Sequence, residues 1–211
     1  VGLLHALHAF KKEYISLKDI AEEDFKIEVE VLKKPIGKQD PYMAAFGGLT
    51  VLNIEKDGRV MVRKANVSYE TADELNRNML MFYTGTTRSA EPILTEQVKG
   101  VQEEKKEVVE SMHYIKELGQ EILEAVESGN ITEVGRLFHA HWQHKKKISS
   151  KMSNERFDKI YEVARENGAL GGKISGAGGG GFFTFYVENG HKKLRDVMKQ
   201  LGLREMRYRF D

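Results

Sequence analysis

Gly171-Gly172-Lys173-Ile174-Ser175-Gly176-Ala177-Gly178-Gly179-Gly180-Gly181-Phe182, running on into Phe183-Thr184-Phe185-Tyr186-Val187, is the stretch whose reading decides the fold. Five of the six residues from Gly176 to Gly181 are glycine, a costly choice for a turn that touches nothing, because glycine loses the most chain entropy on ordering. The composition predicts close approach of this backbone to a ligand or to a facing chain, with successive N–H groups able to converge on an anion. Gly176, Gly178 and Gly181 match the dinucleotide-binding spacing, but that motif needs a helix after the glycines. Phe182–Val187 reads as a strand instead, which excludes a Rossmann turn. The phosphate-loop pattern fails too, since Lys173 precedes the glycines.

Working outward, the chain mixes helices and strands without a regular βαβ rhythm, which favours an α+β fold. Helices are expected from Val1 to about Glu13 and from Ser16, a capping residue, to Pro35. Leu49–Glu55 and Val60–Val67 read as a hairpin closed by Lys56-Asp57-Gly58, and Met79–Thr84 as a buried strand. From Glu91 to Arg165 nearly everything reads helical, with breaks near Gly129-Asn130 and Ser149–Asn154. Val101, Val108, Ile115 and Ile122 recur every seven residues as a packing face. A helix over His191–Leu201 and a strand over Leu203–Asp211 close the chain. A domain boundary is expected near Asn76–Asn78.

Composition narrows the function. Among 211 residues, Lys+Arg 33 against Asp+Glu 32 leaves a formal charge of +1, so no basic field points to nucleic acid. There is no Cys, which excludes disulfides, thiolate nucleophiles and Cys-ligated metals and suits a reducing cytosol. No apolar run reaches the length of a membrane span. The opening at Val1 inside an apolar helical pattern, without Met or a cap, reads as a fragment.

Other residues stand out. Asp40-Pro41 reads as a helix start with Asp at N-cap and Pro at N1; a carboxylate accepting a proton from a substrate hydroxyl is the other reading of Asp40. On a helical wheel Glu28 falls in the apolar stripe of Ile20, Ala21, Phe25, Ile27, Val31 and Leu32, where a carboxylate must be paired, hydrogen-bonded or metal-bound; a partly exposed residue at the helix edge is the other reading, and Asp24 is its rival. His139, His141 and His144 read as packed or solvated histidines, and Lys145-Lys146-Lys147 as a solvated helix end, with phosphate binding its lesser reading.

Lys173–Phe182 resembles the C-terminal glycine motif of the GHMP small-molecule kinases. Gly37-Lys38-Gln39-Asp40 with Tyr42, Tyr83–Arg88 and His141-Trp142 through Ser150 look like the branch that phosphorylates D-glycero-D-manno-heptose 7-phosphate at C1, and the fucokinase C-terminal domain is similar. The resemblance implies a two-domain α+β fold. Residues 1–76 would be part of a ribosomal-protein-S5-like N-terminal domain, and 77–211 a ferredoxin-like C-terminal domain with a helical insertion. It implies ATP and Mg²⁺ as cofactors, a sugar phosphate as small-molecule partner, and a cytoplasmic enzyme without nucleic acid or membrane partners. Oligomeric state stays open. Residue by residue, it implies Asp40 as catalytic base and Glu28 as Mg²⁺ ligand. Gly176, Ala177, Gly178, Gly179, Gly180 and Gly181 would line the transferred phosphate; Lys38, Gln39, Tyr42 and Arg88 would contact substrate. Pro41 stands where relatives often carry a polar side chain. The family's ATP phosphate loop, with a Ser as second Mg²⁺ ligand, would lie before Val1, so the chain alone is expected to be inactive.

Overall fold

The computed structural model describes residues 1–87 and 89–210. The chain divides into two compact units, Val1–Ala65 with Phe210, and Asn66–Arg209.

In the first unit, α1 (Gly2–Lys11) leaves Leu3 and Phe10 exposed, while α2 (Leu17–Lys26) buries Ile20 and Ala21. Ser16 caps α2 as its spacing predicts, its hydroxyl accepting from the Asp19 N–H at 3.1 Å. The helix then loosens into a π-helical turn, Ile27–Val31. This shift from the α-helical period breaks the predicted apolar stripe, and Val31 and Leu32 end up 70% and 53% exposed. The hairpin forms as expected: β1 (Thr50–Ile54) pairs antiparallel with β2 (Val60–Lys64), Ile54 opposite Val60. Ala21, Tyr42 and Val60 make a small core with Phe46, Leu52 and Val62 against it.

One expected start is corrected. Helix α3 (Gln39–Phe46) begins two residues earlier than the Asp40-Pro41 signature implies, with Lys38 at the N-cap and no side-chain capping bond. Asp40 and Pro41 sit in its first turn, where proline is tolerated because the N–H it lacks has no intrahelical partner.

In the second unit, α4 (Tyr69–Asn78) leads into β3 (Met79–Tyr83). Four helices follow: α5 (Glu91–Gln102), α6 (Lys106–Glu127), α7 (Ile131–Ile148) and α8 (Glu155–Glu166). Then come β4 (Gly171–Ile174), β5 (Phe182–Tyr186), α9 (His191–Gln200) and β6 (Arg204–Met206). The sheet is antiparallel in the order β4-β5-β3-β6, the β-α-β-β-α-β arrangement of ferredoxin-like folds, with α5–α8 as an enlarged first crossover. Phe183 and Phe185 on β5 stack at 5.1 Å between centroids and meet Trp142 of α7 and Tyr161 of α8 in the core. Two boundaries depart from expectation. The helical region has a further break at Glu103–Lys105, where Glu104 has φ 50°, so Val101 lies on α5 and the seven-residue repeat is split across two helices. The last strand is only three residues long.

Candidate active site

In the first unit the predicted residues separate into two groups. Gln39 and Asp40 are exposed at the start of α3, and among the described residues the Asp40 carboxyl group has no hydrogen-bond or ion-pair partner. Lys38 and Tyr42 point elsewhere. The Lys38 ammonium donates to both Glu22 oxygens at 2.7 and 2.8 Å and to the Gly58 carbonyl at 2.7 Å. The buried Tyr42 hydroxyl donates to Glu22 Oε1 at 2.5 Å. An ammonium has three protons to donate, so Lys38 as placed has none left for a substrate phosphate. Burial and then the Glu22 bond push the Tyr42 phenol above its ordinary range, and the Lys38 and Tyr42 bonds outweigh burial to hold Glu22 low. Glu22 thus ties α2, the start of α3 and the hairpin turn into one polar knot that holds the backbone carrying Asp40. Its spacing gives no hint of this, because its partners come from a different helix and a different turn.

Glu28 is not enclosed by the apolar stripe. Its side chain is 26% exposed and paired with Lys34 at 2.6 Å. Asp24, its rival, accepts from the Val1 amino group at 2.7 Å. Among the described residues no three His, Asp or Glu side chains are grouped to hold a metal. Arg88, the remaining predicted contact, lies outside the described residues.

In the second unit, Gly176–Gly181 is the turn between β4 and β5, and it is seated on its neighbours. The Gly179 N–H donates to the Met152 carbonyl at 3.0 Å and the Gly181 N–H to the Thr86 carbonyl at 2.8 Å. A Cβ on Gly179 would stand 2.7 Å from Ile93 and 3.1 Å from the Lys151 carbonyl. Close approach to a facing chain is therefore one reason for the glycines. The N–H groups of Gly176, Ala177, Gly178 and Gly180 have no partner among the described residues. φ is positive at Gly176 and Gly178 but not at Ala177, the alternation that turns successive N–H groups into a concave anion nest.

Lys145 corrects the expectation of a solvated helix end. Its ammonium donates to the Gly176 carbonyl at 2.5 Å and faces the Ile174 carbonyl at 3.4 Å. Burial, then the nearby Lys173 ammonium, pulls its pKa down to about 7. Lys173 is itself lowered by burial, with its ammonium 5.6 Å from the centre of the Phe138 ring. Phe138, His141 and Lys145 are spaced three and four residues apart on one face of α7; that spacing is the signal from which Lys145 could have been placed beside its neighbours. The histidines are packed, as expected: His139 Nδ1 meets the Tyr161 hydroxyl at 2.7 Å, and His141 Nδ1 is buried without a partner.

Burial and the two lysines bring His141 down to about 3. Because this folded value lies below the unfolded 6.5, the unfolded chain binds the proton first, and stability falls as pH drops from 6.5 toward 3. Between pH 7 and pH 5 this one ring should cost about 2 kcal/mol. Urea denaturation of the unaltered chain and of His141→Gln at both pH values tests it. The variant should lose less stability by about that amount, and equal losses would show that His141 is not buried neutral.

Residues 122–202 match the family model "GHMP kinases C terminal". The chain is 34% identical over 188 residues to D-glycero-alpha-D-manno-heptose 7-phosphate kinase of Campylobacter jejuni, covering 89% of this chain and 55% of that protein. It is 27% identical over 161 residues to the L-fucokinase/L-fucose-1-P guanylyltransferase of Bacteroides fragilis, covering 75% of this chain and 17% of that protein. A crystal structure of a Campylobacter jejuni protein superposes with a TM-score of 0.75 at 28% identity, over all of this chain and 60% of the other. The chain thus spans little more than half the length of the heptose kinase it matches. Among the described residues no helix is long and apolar enough to cross a membrane. Residues 122–202, which hold the glycine turn between β4 and β5, are thus similar to the C-terminal domain of the GHMP kinases.

Proposed function

We propose that this chain is part of an ATP-dependent sugar kinase that phosphorylates the anomeric hydroxyl of D-glycero-D-manno-heptose 7-phosphate to give the 1,7-bisphosphate. Residues 1–76 serve as part of its N-terminal domain and 77–211 as its C-terminal domain, in the cytoplasm. The observation that carries the reading is the glycine turn with unpaired N–H groups at Gly176, Ala177, Gly178 and Gly180, in a domain matched by kinases. The heptose acceptor rests on the 34% identity to a heptose kinase.

Asp40 takes the proton of the anomeric hydroxyl as that oxygen forms its bond to the γ-phosphorus and the bond from phosphorus to the ADP oxygen breaks. In the second unit, the turn's N–H groups are already oriented to donate to phosphate oxygens and cost no reorganisation. Gln39 and Arg88 are the remaining candidates for substrate contact, Arg88 through bidentate pairing with the 7-phosphate. Lys38 and Tyr42 serve indirectly, by fixing the start of α3 through Glu22. Glu28 does not fit a metal ion while Lys34 occupies its carboxylate, and no step here runs through one.

The similarity to a fucokinase supports a second acceptor class, an unphosphorylated sugar. The test is a phosphoryl-transfer assay of the full-length gene product with ATP and a panel of heptose 7-phosphate, fucose and galactose. Turnover of the heptose phosphate well above the free sugars is expected. Preference for fucose would replace the acceptor, and no transfer to any of them would overturn the kinase reading.

A further inference from the structure

The second unit contains a cationic cluster that the mechanism above does not use. Lys145 on α7 reaches the Ile174 carbonyl next to Lys173 on β4, and the Lys173 ammonium adds to burial in lowering the proton affinity of both Lys145 and His141. Among the described residues no carboxylate pairs with either lysine. Among the described residues the Lys145 ammonium meets two carbonyls, those of Gly176 and Ile174, and Lys173 meets the face of Phe138. Packing like charges together in a half-buried place without a counter-ion is unfavourable. Such a cost persists in a fold where a ligand of opposite charge offsets it. The Gly176 carbonyl that Lys145 holds belongs to the first residue of the nest, so the ammonium and the free N–H groups of Gly176–Gly178 lie along one short stretch of chain.

We infer that Lys145 and Lys173 form a side-chain anion site that holds a phosphate group, a phosphate ester or a polyphosphate, beside the glycine turn. The inference rests on the kinase reading only for whose phosphate is held, that of the nucleotide or that of the sugar. Its chemistry is electrostatic and needs no turnover. Two ammonium groups meet the dianion as point charges, and the nest N–H groups donate to its remaining oxygens. His141, neutral at physiological pH, adds no charge to the site but walls it on the α7 side.

Calorimetric titration of the chain with inorganic pyrophosphate, ADP and glucose 6-phosphate tests this directly. Lys145→Met and Lys173→Met should each weaken pyrophosphate binding roughly 10-fold to 100-fold, the size of one lost charge-assisted hydrogen bond. Whichever of ADP and glucose 6-phosphate loses affinity in parallel identifies the source of the phosphate. Lys145→Met should hold or raise the thermal midpoint, because it removes a charge that the fold keeps at a cost. In the unaltered chain, pyrophosphate should slow acetylation of Lys145 and Lys173, read by peptide mass spectrometry, which also serves if a variant fails to fold. Unchanged pyrophosphate affinity in both folded variants, or acetylation indifferent to pyrophosphate, would overturn the site. Neither outcome bears on whether the full-length gene product transfers phosphate, so the two readings fail separately.

Discussion

Gly171→Ala should destabilise the second unit by about 3 kcal/mol, the upper end of the cost of overpacking a close contact. A Cβ at this position would stand 2.0 Å from the Gly135 carbonyl oxygen and 2.6 Å from the His139 nitrogen. Both are backbone atoms of α7, so no rotamer change relieves the clash and the helix itself must move. Gly135 is the other half of the contact, since a Cβ there would stand 2.5 Å from the Tyr186 ring. Helix α7 therefore lies against β4 and β5 through two glycines, and a displaced α7 also displaces Trp142 from the aromatic core and Lys145 from Gly176. Gly119→Ala in α6 is the internal control. Nothing lies within 4 Å of a Cβ there, and alanine should raise stability by up to about 1 kcal/mol through helix propensity. Urea denaturation of the two variants reads both effects. A loss below about 0.5 kcal/mol, the range of ordinary surface substitutions, for Gly171→Ala would mean that α7 and β4 are not in this contact.

Asp40→Asn should lower the turnover of the full-length gene product about 10²-fold to 10⁴-fold, the usual contribution of a positioned general base. The substitution keeps the shape of the side chain and removes its capacity to take a proton. Because Asp40 is exposed and its carboxyl group has no partner among the described residues, folding should be unaffected, and a thermal melt serves as the check. The knot at Glu22 holds the backbone that carries this unbonded side chain. Lys38 at the N-cap and Tyr42 in the next turn are both anchored to Glu22, and the backbone of Gln39–Pro41 is carried between them. Steady-state kinetics should show the loss in kcat, with the KM for ATP nearly unchanged. A variant retaining more than about a tenth of the turnover would remove Asp40 from the base role, because so small a loss lies below what such a group contributes.

Much of the fold was legible because its signals are local. The hairpin at Lys56-Asp57-Gly58, the Ser16 cap, the strand at Met79 and the strand after the glycines all formed as their turn chemistry and periodicity implied. Departures arose where local rules compete. At Asp40-Pro41 the capping signature yields to a helix that starts at Gln39, anchored by Lys38 and Tyr42 on Glu22. At Glu28 a wheel drawn with the α-helical period fails, because the chain there is a π-helical turn.

By itself, the sequence determined that Gly171–Val187 is a glycine turn running into a strand rather than a nucleotide-binding strand-to-helix turn, because a strand's apolar run and a turn's glycines are written in consecutive residues. Tertiary structure alone decided which of the turn's N–H groups are spent on Met152 and Thr86 and which stay free. It alone decided that Lys38 serves Glu22, and that Lys145 is drawn out of solvent onto the Gly176 carbonyl beside Lys173. These outcomes depend on partners 16 to 95 residues away in the chain, and the energetics of a charge are set by what surrounds it in space, not by its neighbours in sequence.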